Sequence, residues 1–387
     1  MRKTQLALVL GLSSLFLVGD ALAAPHPDPR PPERGQNQQQ QGMRGARHVD
    51  LVIALDTSSS MDGLIDSARQ KLWDVVNVLS QARPQPILRV GLISYGNDGY
   101  DAHVGWVRKE SDLTTDLDSV YARLFALQTN GGTEYVARAV HDATHTMKWS
   151  QDPKALKIIF VAGNEPATQD PQIPVDAAVK DARASHIFVN AIYCGTDGGG
   201  DAIGWREVAR AGSGRYAAID QNHTVAIATP EDAELAKLSD ALNRTYIAYG
   251  HAGAERKKNQ EQQDKNAIAA GAPAAASRAA AKSGGLYRAD GWDLVDARAH
   301  GGKDIKTIPT AELPAPMQAM PPAAREAYVE GKAKERARIQ KQIAEVSHKR
   351  EGYLRAERAK LKPGQADLDD AMVGAIKTEA KSAGFGF

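Results

Sequence analysis

Four apolar runs, Leu51 to Asp56, Ile87 to Tyr95, Leu156 to Ala162 and Ile187 to Cys194, constrain this chain more than any other feature. They are mostly continuous, as expected for strands whose two faces are both covered, and so they predict central strands of a largely parallel sheet. Between the first two, Met61, Leu64, Ile65, Ala68, Leu72, Val75, Val76 and Leu79 recur at helical spacing and form one stripe for packing on that sheet. Further helices are expected at Asp116 to Leu127, Glu134 to Trp149, Pro174 to Ala184 and Pro230 to Tyr246. The more polar stretch His103 to Leu113 follows the turn-like Gly96-Asn97-Asp98-Gly99 and suits an antiparallel edge strand. The expected fold class is therefore α/β: a Rossmann-like, doubly wound, mostly parallel sheet with one antiparallel edge strand, plus a helical C-terminal extension.

A chain of 387 residues suggests two folded units plus tails at roughly 150 residues per domain. Residues 1–23 read as an export signal, with Arg2 and Lys3, an apolar run from Leu6 to Val18, and the small-x-small site Ala21-Leu22-Ala23. That run is short of the roughly 20 residues a membrane span needs, which favours cleavage and a periplasmic or secreted protein with no transmembrane segment. Residues 24–47 are Pro-, Gln- and Arg-rich, with too little apolar surface to offset the cost of ordering them. Residues 48–250 carry the α/β pattern, 251–285 read as an alanine-rich, partly helical linker, and 286–387 form a C-terminal region with one long charged helix. The heptad-like spacing of Val329, Ile339, Ile343, Val346, Tyr353 and Leu354 in that helix covers only about two turns, a short coiled-coil pattern. Cys194, the single cysteine, lies at the end of an apolar run, where a buried structural thiol is expected. A net charge of +1 with 25% charged residues gives no reason to expect nucleic acid as a partner.

The chemistry concentrates where strands end. Asp56-Thr57-Ser58-Ser59-Ser60 closes the first apolar run and opens a helix-patterned stretch. Open α/β sheets bind ligands at this carboxyl edge. Oxygens at i, i+2 and i+4 suit a hard divalent cation such as Mg²⁺, which takes about six oxygen ligands and keeps waters among them. A second oxygen-rich turn, Thr129-Asn130-Gly131-Gly132-Thr133-Glu134, precedes another helix, and a third, Gly163-Asn164-Glu165-Pro166, follows the strand ending at Ala162. The competing reading of Asp, Ser and Thr before a helix is N-capping, which satisfies free backbone N–H groups and can coexist with an ion site.

Strand, Asp-x-Ser-x-Ser, helix, Gly-Gly-Thr turn, then a strand ending in a polar turn resembles the von Willebrand factor type A family over roughly His48 to Gly250. The resemblance implies a metal-ion-dependent adhesion site in which Asp56, Ser58, Ser60 and Thr133 hold Mg²⁺ (or Mn²⁺ or Ca²⁺) directly or through water. It further implies a protein that binds another protein, the cation keeping one position for a partner's acidic side chain and acting as a bridge, with no catalysis. The family's third loop supplies an aspartate in Asp-Gly, whereas this chain has Gly163-Asn164, so the site is a variant one with fewer carboxylates. Glu165 is the added candidate ligand, with Asn164 able to offer a carbonyl oxygen. Tyr95, Asn97, Asp98 and Tyr135 are the candidates for partner specificity at the rim.

Two other functions compete. The first is a metal-free scaffold of the same fold in an envelope complex. The second is a metallohydrolase using His141 and His145, since His141-Asp142-Ala143-Thr144-His145 approximates a zinc-peptidase helix with Asp in the base position. Against an enzyme, no nucleophile elbow, phosphate-cradling loop or dinucleotide fingerprint occurs in suitable context. The basic residues of the long helix, among them Lys332, Arg336, Arg350 and Arg358, are interspersed with Glu330, Glu335, Glu345, Glu351 and Glu357 and read as a solvated face.

Overall fold

A computed structural model describes residues 47–222, 226–360 and 368–387. The expected signal and most of the Pro/Gln-rich leader lie outside them. The apolar runs form β1 (His48–Asp56), β2 (Ile87–Tyr95), β4 (Leu156–Gly163) and β5 (Ile187–Tyr193). The polar stretch forms β3 (Val107–Thr114), antiparallel to β2. A sixth strand, β6 (Ser213–Ala218), pairs with β5 in parallel. The order is β3-β2-β1-β4-β5-β6, so β1 lies centrally between two parallel neighbours. Order reverses on the two sides of β1, and the carboxyl end of β1 is therefore the switch point where a ligand crevice forms.

Side chains alternate across β1 in both directions into apolar packing. Leu51, Ile53 and Leu55 pack in one core with α1 (Asp62–Ser80) and α2 (Leu117–Ala126). Val52 and Ala54 pack in another, with α3 (Val136–Thr146), α4 (Val175–Ala184) and α5 (Ala202–Ala211). This two-sided burial is why the strands read as unbroken apolar runs. Neither α5 nor β6 was expected: β6 is short, begins Ser-Gly-Arg and is only half-buried, so it carries no apolar run to find.

The alanine-rich stretch 251–285 is largely helical. It forms α7 (Gly253–Ala269) and α8 (Ala272–Ser283), which follow α6 (Asp232–Asn243). Ala274, Ala276, Ala279 and Ala281 are all buried, and their small side chains let α8 lie close against α1 and α6. Alanine content looked like a spacer in the sequence because a tight helix interface and a helical linker share that composition. As a result α1 is covered on both sides, and Trp73, outside its sheet-facing stripe, is fully buried with the Arg278 guanidinium 4.7 Å from its ring centroid.

Beyond α9 (Leu294–Gly301) and the short α10 (Ala315–Gln318), the long charged helix is α11 (Pro322–Arg358). Its buried positions Val329, Arg336, Ile339, Ile343, Val346 and Arg350 keep heptad-like spacing, yet Ile339, Ile343 and Val346 pack on α6 and α8 of the same chain, and Val329 packs around Leu294 and Met317. Two residues assigned to its solvated face belong to the interior instead. Arg336 pairs with Asp293 and Asp296, and Arg350 with Asp232, because a guanidinium can bury its stem and fork where several oxygens converge. The chain then closes with α12 (Leu368–Ser382), whose Leu368, Met372, Ala375 and Ile376 join the core around α1. No helix among the described residues is long and apolar enough to cross a membrane.

Candidate functional site

The three oxygen-rich turns meet at the carboxyl ends of β1 and β4. Backbone bonds tie the first two together: Ser59 N donates to Gly131 O at 3.0 Å, and Asn130 N to Thr57 O at 3.0 Å. The third reaches the first through Asn164, whose Nδ2 donates to Ser60 Oγ at 3.0 Å. Asp56 is fully buried at the end of β1, and its Oδ1 accepts from Ser58 N at 2.8 Å, the two-residue reach typical of an aspartate turn. Ser58 Oγ and Ser60 Oγ are 3.3 Å apart. These hydroxyls do not cap α1. Its N-cap is Met61, which makes no side-chain cap bond, so the capping reading is replaced by contacts within the turn.

Two glycines let the loops close on Asp56. At Gly96, where φ is +77°, a Cβ would stand 2.8 Å from both Asp56 Oδ1 and Glu134 Cγ. At Gly163 a Cβ would stand 3.0 Å from Asp56 Oδ2 and 2.5 Å from Tyr95 Oη. A side chain at Gly96 would collide with the aspartate, and one at Gly163 with the Tyr95 hydroxyl while pressing on Asp56.

Thr133 lies half-buried in the second turn, one residue before Glu134. Glu134 itself points inward, is 3% exposed and lies beside Asp56, the two side chains meeting over Gly96. Sequence reasoning passed it over as part of the turn; the one available signal was a carboxylate directly after the Gly-Gly-Thr. Burial pushes the Asp56 carboxyl well above the usual range, and the neighbouring Glu134 pushes it further. Glu134 is raised by burial too, with a smaller push from Glu165, while Asp56 and the Ser58 hydroxyl pull it down. Two carboxyls held this close cannot both ionise at little cost unless a cation joins them.

The polar accounting shows a gap of matching character. Asp56 Oδ2, Glu134 Oε2 and Asn164 Oδ1 are each buried without a hydrogen-bond partner, one from each turn. Buried acceptors are normally paired, so three orphans at one sheet edge fit a hard cation. Among the described residues no three His, Cys, Asp or Glu side chains gather tightly enough to hold a metal by themselves, so hydroxyl and amide oxygens would have to complete the shell. Glu165 is exposed, with its carboxylate turned to Gln169 Nε2 at 3.4 Å and its carbonyl accepting from Trp205 Nε1 at 2.8 Å.

The proposed rim residues divide. Tyr95 is interior, its hydroxyl donating to Ala162 O at 2.9 Å, and so cannot touch a partner; a strand-end residue of this size packs under the turns. Asn97 is also buried and donates to Gln128 O at 2.8 Å. Asp98 is exposed, and Tyr135 is half-buried with its ring edge-on to Trp106. Cys194 is a buried free thiol, pushed up by burial beside Asp56. His141 and His145 stack at 4.3 Å between ring centroids on the outer flank of α3; each engages its own helix, His141 through Asp142 and His145 through the His141 carbonyl.

Residues 51–165 match the family model of the von Willebrand factor type A domain. This part of the chain is a von Willebrand factor type A domain. Such domains are protein-interaction modules and not enzymes. No curated protein sequence matches the chain. Solved structures with which it shares a likeness include proximal thread matrix protein 1 from the mussel byssus with a zinc-occupied MIDAS motif, at 12% identity, TM-score 0.36, covering 45% of this chain and 42% of that one. A von Willebrand factor type A protein from Catenulispora acidiphila is 17% identical, TM-score 0.35, with 45% and 39% covered. The pilus adhesin SpaC from Lactobacillus rhamnosus GG is 15% identical, TM-score 0.36, with 46% and 29% covered. The chain thus spans less than half the length of these proteins.

Proposed function

We propose that the von Willebrand factor type A domain binds a divalent cation of the Mg²⁺ type through Asp56, Ser58, Ser60 and Thr133, and through it a carboxylate of another protein. The observation that carries this reading is the set of three buried, unpartnered oxygens, Asp56 Oδ2, Glu134 Oε2 and Asn164 Oδ1, contributed by three turns at the sheet's switch point. When bound, the cation would supply an exchangeable position for a partner's carboxylate. The chain's own residues orient it: the Asp56 turn fixes Ser58, and the Asn164 amide fixes Ser60. Glu165, exposed beside the site, contributes field and not a bond. Residues 1–23 support export to the periplasm or beyond. Residues 251–387 would buttress the binding module by holding α1 from behind.

Thermal melting of the purified protein in chelator and in MgCl₂ or MnCl₂ tests the reading. A rise in Tm with cation that is absent from Asp56→Ala supports it; no rise with any cation overturns it. The metal-free scaffold has one observation in its favour. The third turn has Gly163-Asn164 in place of the family's Asp-Gly, and the Asn164 amide donates to a ligand-type hydroxyl, a bond a cation on Ser60 would have to share. Capture of the same partner with and without chelator would favour that second reading.

A further inference from the structure

The family's third-loop aspartate is missing here, and the electrostatic deficit has a visible remedy in a different loop. We propose that Glu134, in the second turn, supplies the second carboxylate of the cation site in place of that aspartate. This rests on the cation-binding reading above and adds to it a ligand outside the Asp-x-Ser-x-Ser, Thr and Asp pattern.

Four observations carry it. Glu134 is 3% exposed, yet Oε2 has no partner, and the side chain is aimed at Asp56, whose Oδ2 is likewise orphaned. The approach is built in: Gly96 is the residue over which both carboxyls pass, and a Cβ there would sit 2.8 Å from each of Asp56 Oδ1 and Glu134 Cγ. The third turn has Gly163-Asn164 in place of the family's Asp-Gly, so it brings no carboxylate; Asn164 is neutral, is bonded to Ser60 and can give only a carbonyl oxygen. Without Glu134 a divalent ion would meet one buried carboxylate; with it, two, which balances the ion's charge. A buried glutamate with no cationic side chain bonded to it would otherwise be a standing cost to the fold.

The experiment is calorimetric titration of MnCl₂, repeated with MgCl₂, into wild type, Asp56→Asn, Glu134→Gln, Asn164→Asp and the double variant Glu134→Gln/Asn164→Asp, each checked in chelator for a cooperative melt no lower than that of wild type. The expected result is binding about tenfold or more weaker in Glu134→Gln, as losing a charged ligand should give. Tighter binding than wild type is expected in Asn164→Asp, with recovery to within about threefold of wild type in the double variant. Recovery is the informative arm, because a carboxylate restored from another loop can compensate only a lost ligand and not a lost loop contact. Wild-type affinity in Glu134→Gln, with binding abolished in Asp56→Asn, would overturn the Glu134 assignment and leave the cation reading standing. Weakening without recovery in the double variant would also overturn it. Absence of any heat in wild type would overturn both.

Discussion

Buried carboxylates occur in two regions of this molecule with opposite circumstances. Behind α1, Asp118 and Asp264 are fully engaged: Asp118 accepts from Arg278 at 2.7 Å and Tyr287 at 2.5 Å, and Asp264 from Arg278 at 2.6 Å and Lys282 at 2.8 Å. At the rim, Asp56 and Glu134 face one another with oxygens left over. The Lys282 and Arg278 charges hold Asp264 down to about 2 despite its burial, whereas burial and Glu134 hold Asp56 up. The lesson is one of partners and not of depth. A buried acid with basic neighbours fastens helices together, and one with only acids and hydroxyls near it has its ionised form disfavoured.

The largest expected effect tests the fastened half. Arg278→Met takes the cationic partner from Asp118 and one of two from Asp264, and should cost about 3–5 kcal/mol, read from urea unfolding. A loss under about 1 kcal/mol would show that the network is ornamental and break the contrast. Next, Glu379 on α12 is a buried acid outside both regions, lifted by burial to about 8 against the pull of Asn190 and Arg215. Between the ordinary 4.5 and about 8 the folded state holds one proton more than the unfolded state, so stability should fall as pH rises through that window. The expected fall is about 3–5 kcal/mol, and Glu379→Gln should flatten it. An unchanged slope in that variant would locate the titration elsewhere.

At the rim the effects on stability should be smaller and of the other sign. Asp56→Asn removes half of an acid pair and should leave the chelated protein as stable or more stable by about 1 kcal/mol, while abolishing the cation-dependent rise in Tm. A strong destabilisation in chelator would place Asp56 with the structural acids. Smallest of all, Glu165→Ala should change cation affinity by less than about threefold, because an exposed charge acts through screening solvent. A tenfold loss would make it a direct ligand, as the turn Gly163-Asn164-Glu165 first suggested.

The sequence by itself determined the sheet and the edge that matters. Apolar runs long enough to be strands, each ended by a polar turn, leave a chain little choice but to bury them side by side and line up their carboxyl ends; β2 runs over Ile87–Tyr95 as expected from that pattern alone. Asp56, Ser58 and Ser60 were legible for the same reason, being local to one turn. What only the tertiary structure decided are contacts between segments far apart in the chain. That Glu134 turns in toward Asp56, that Arg336 and Arg350 turn in from a helix that looks solvated, and that alanines 274–281 form an interface depend on which surface comes to lie opposite. Hydropathy records whether a residue can be buried, but a charged side chain's burial is settled by the oxygens it meets, and those are supplied by the rest of the fold.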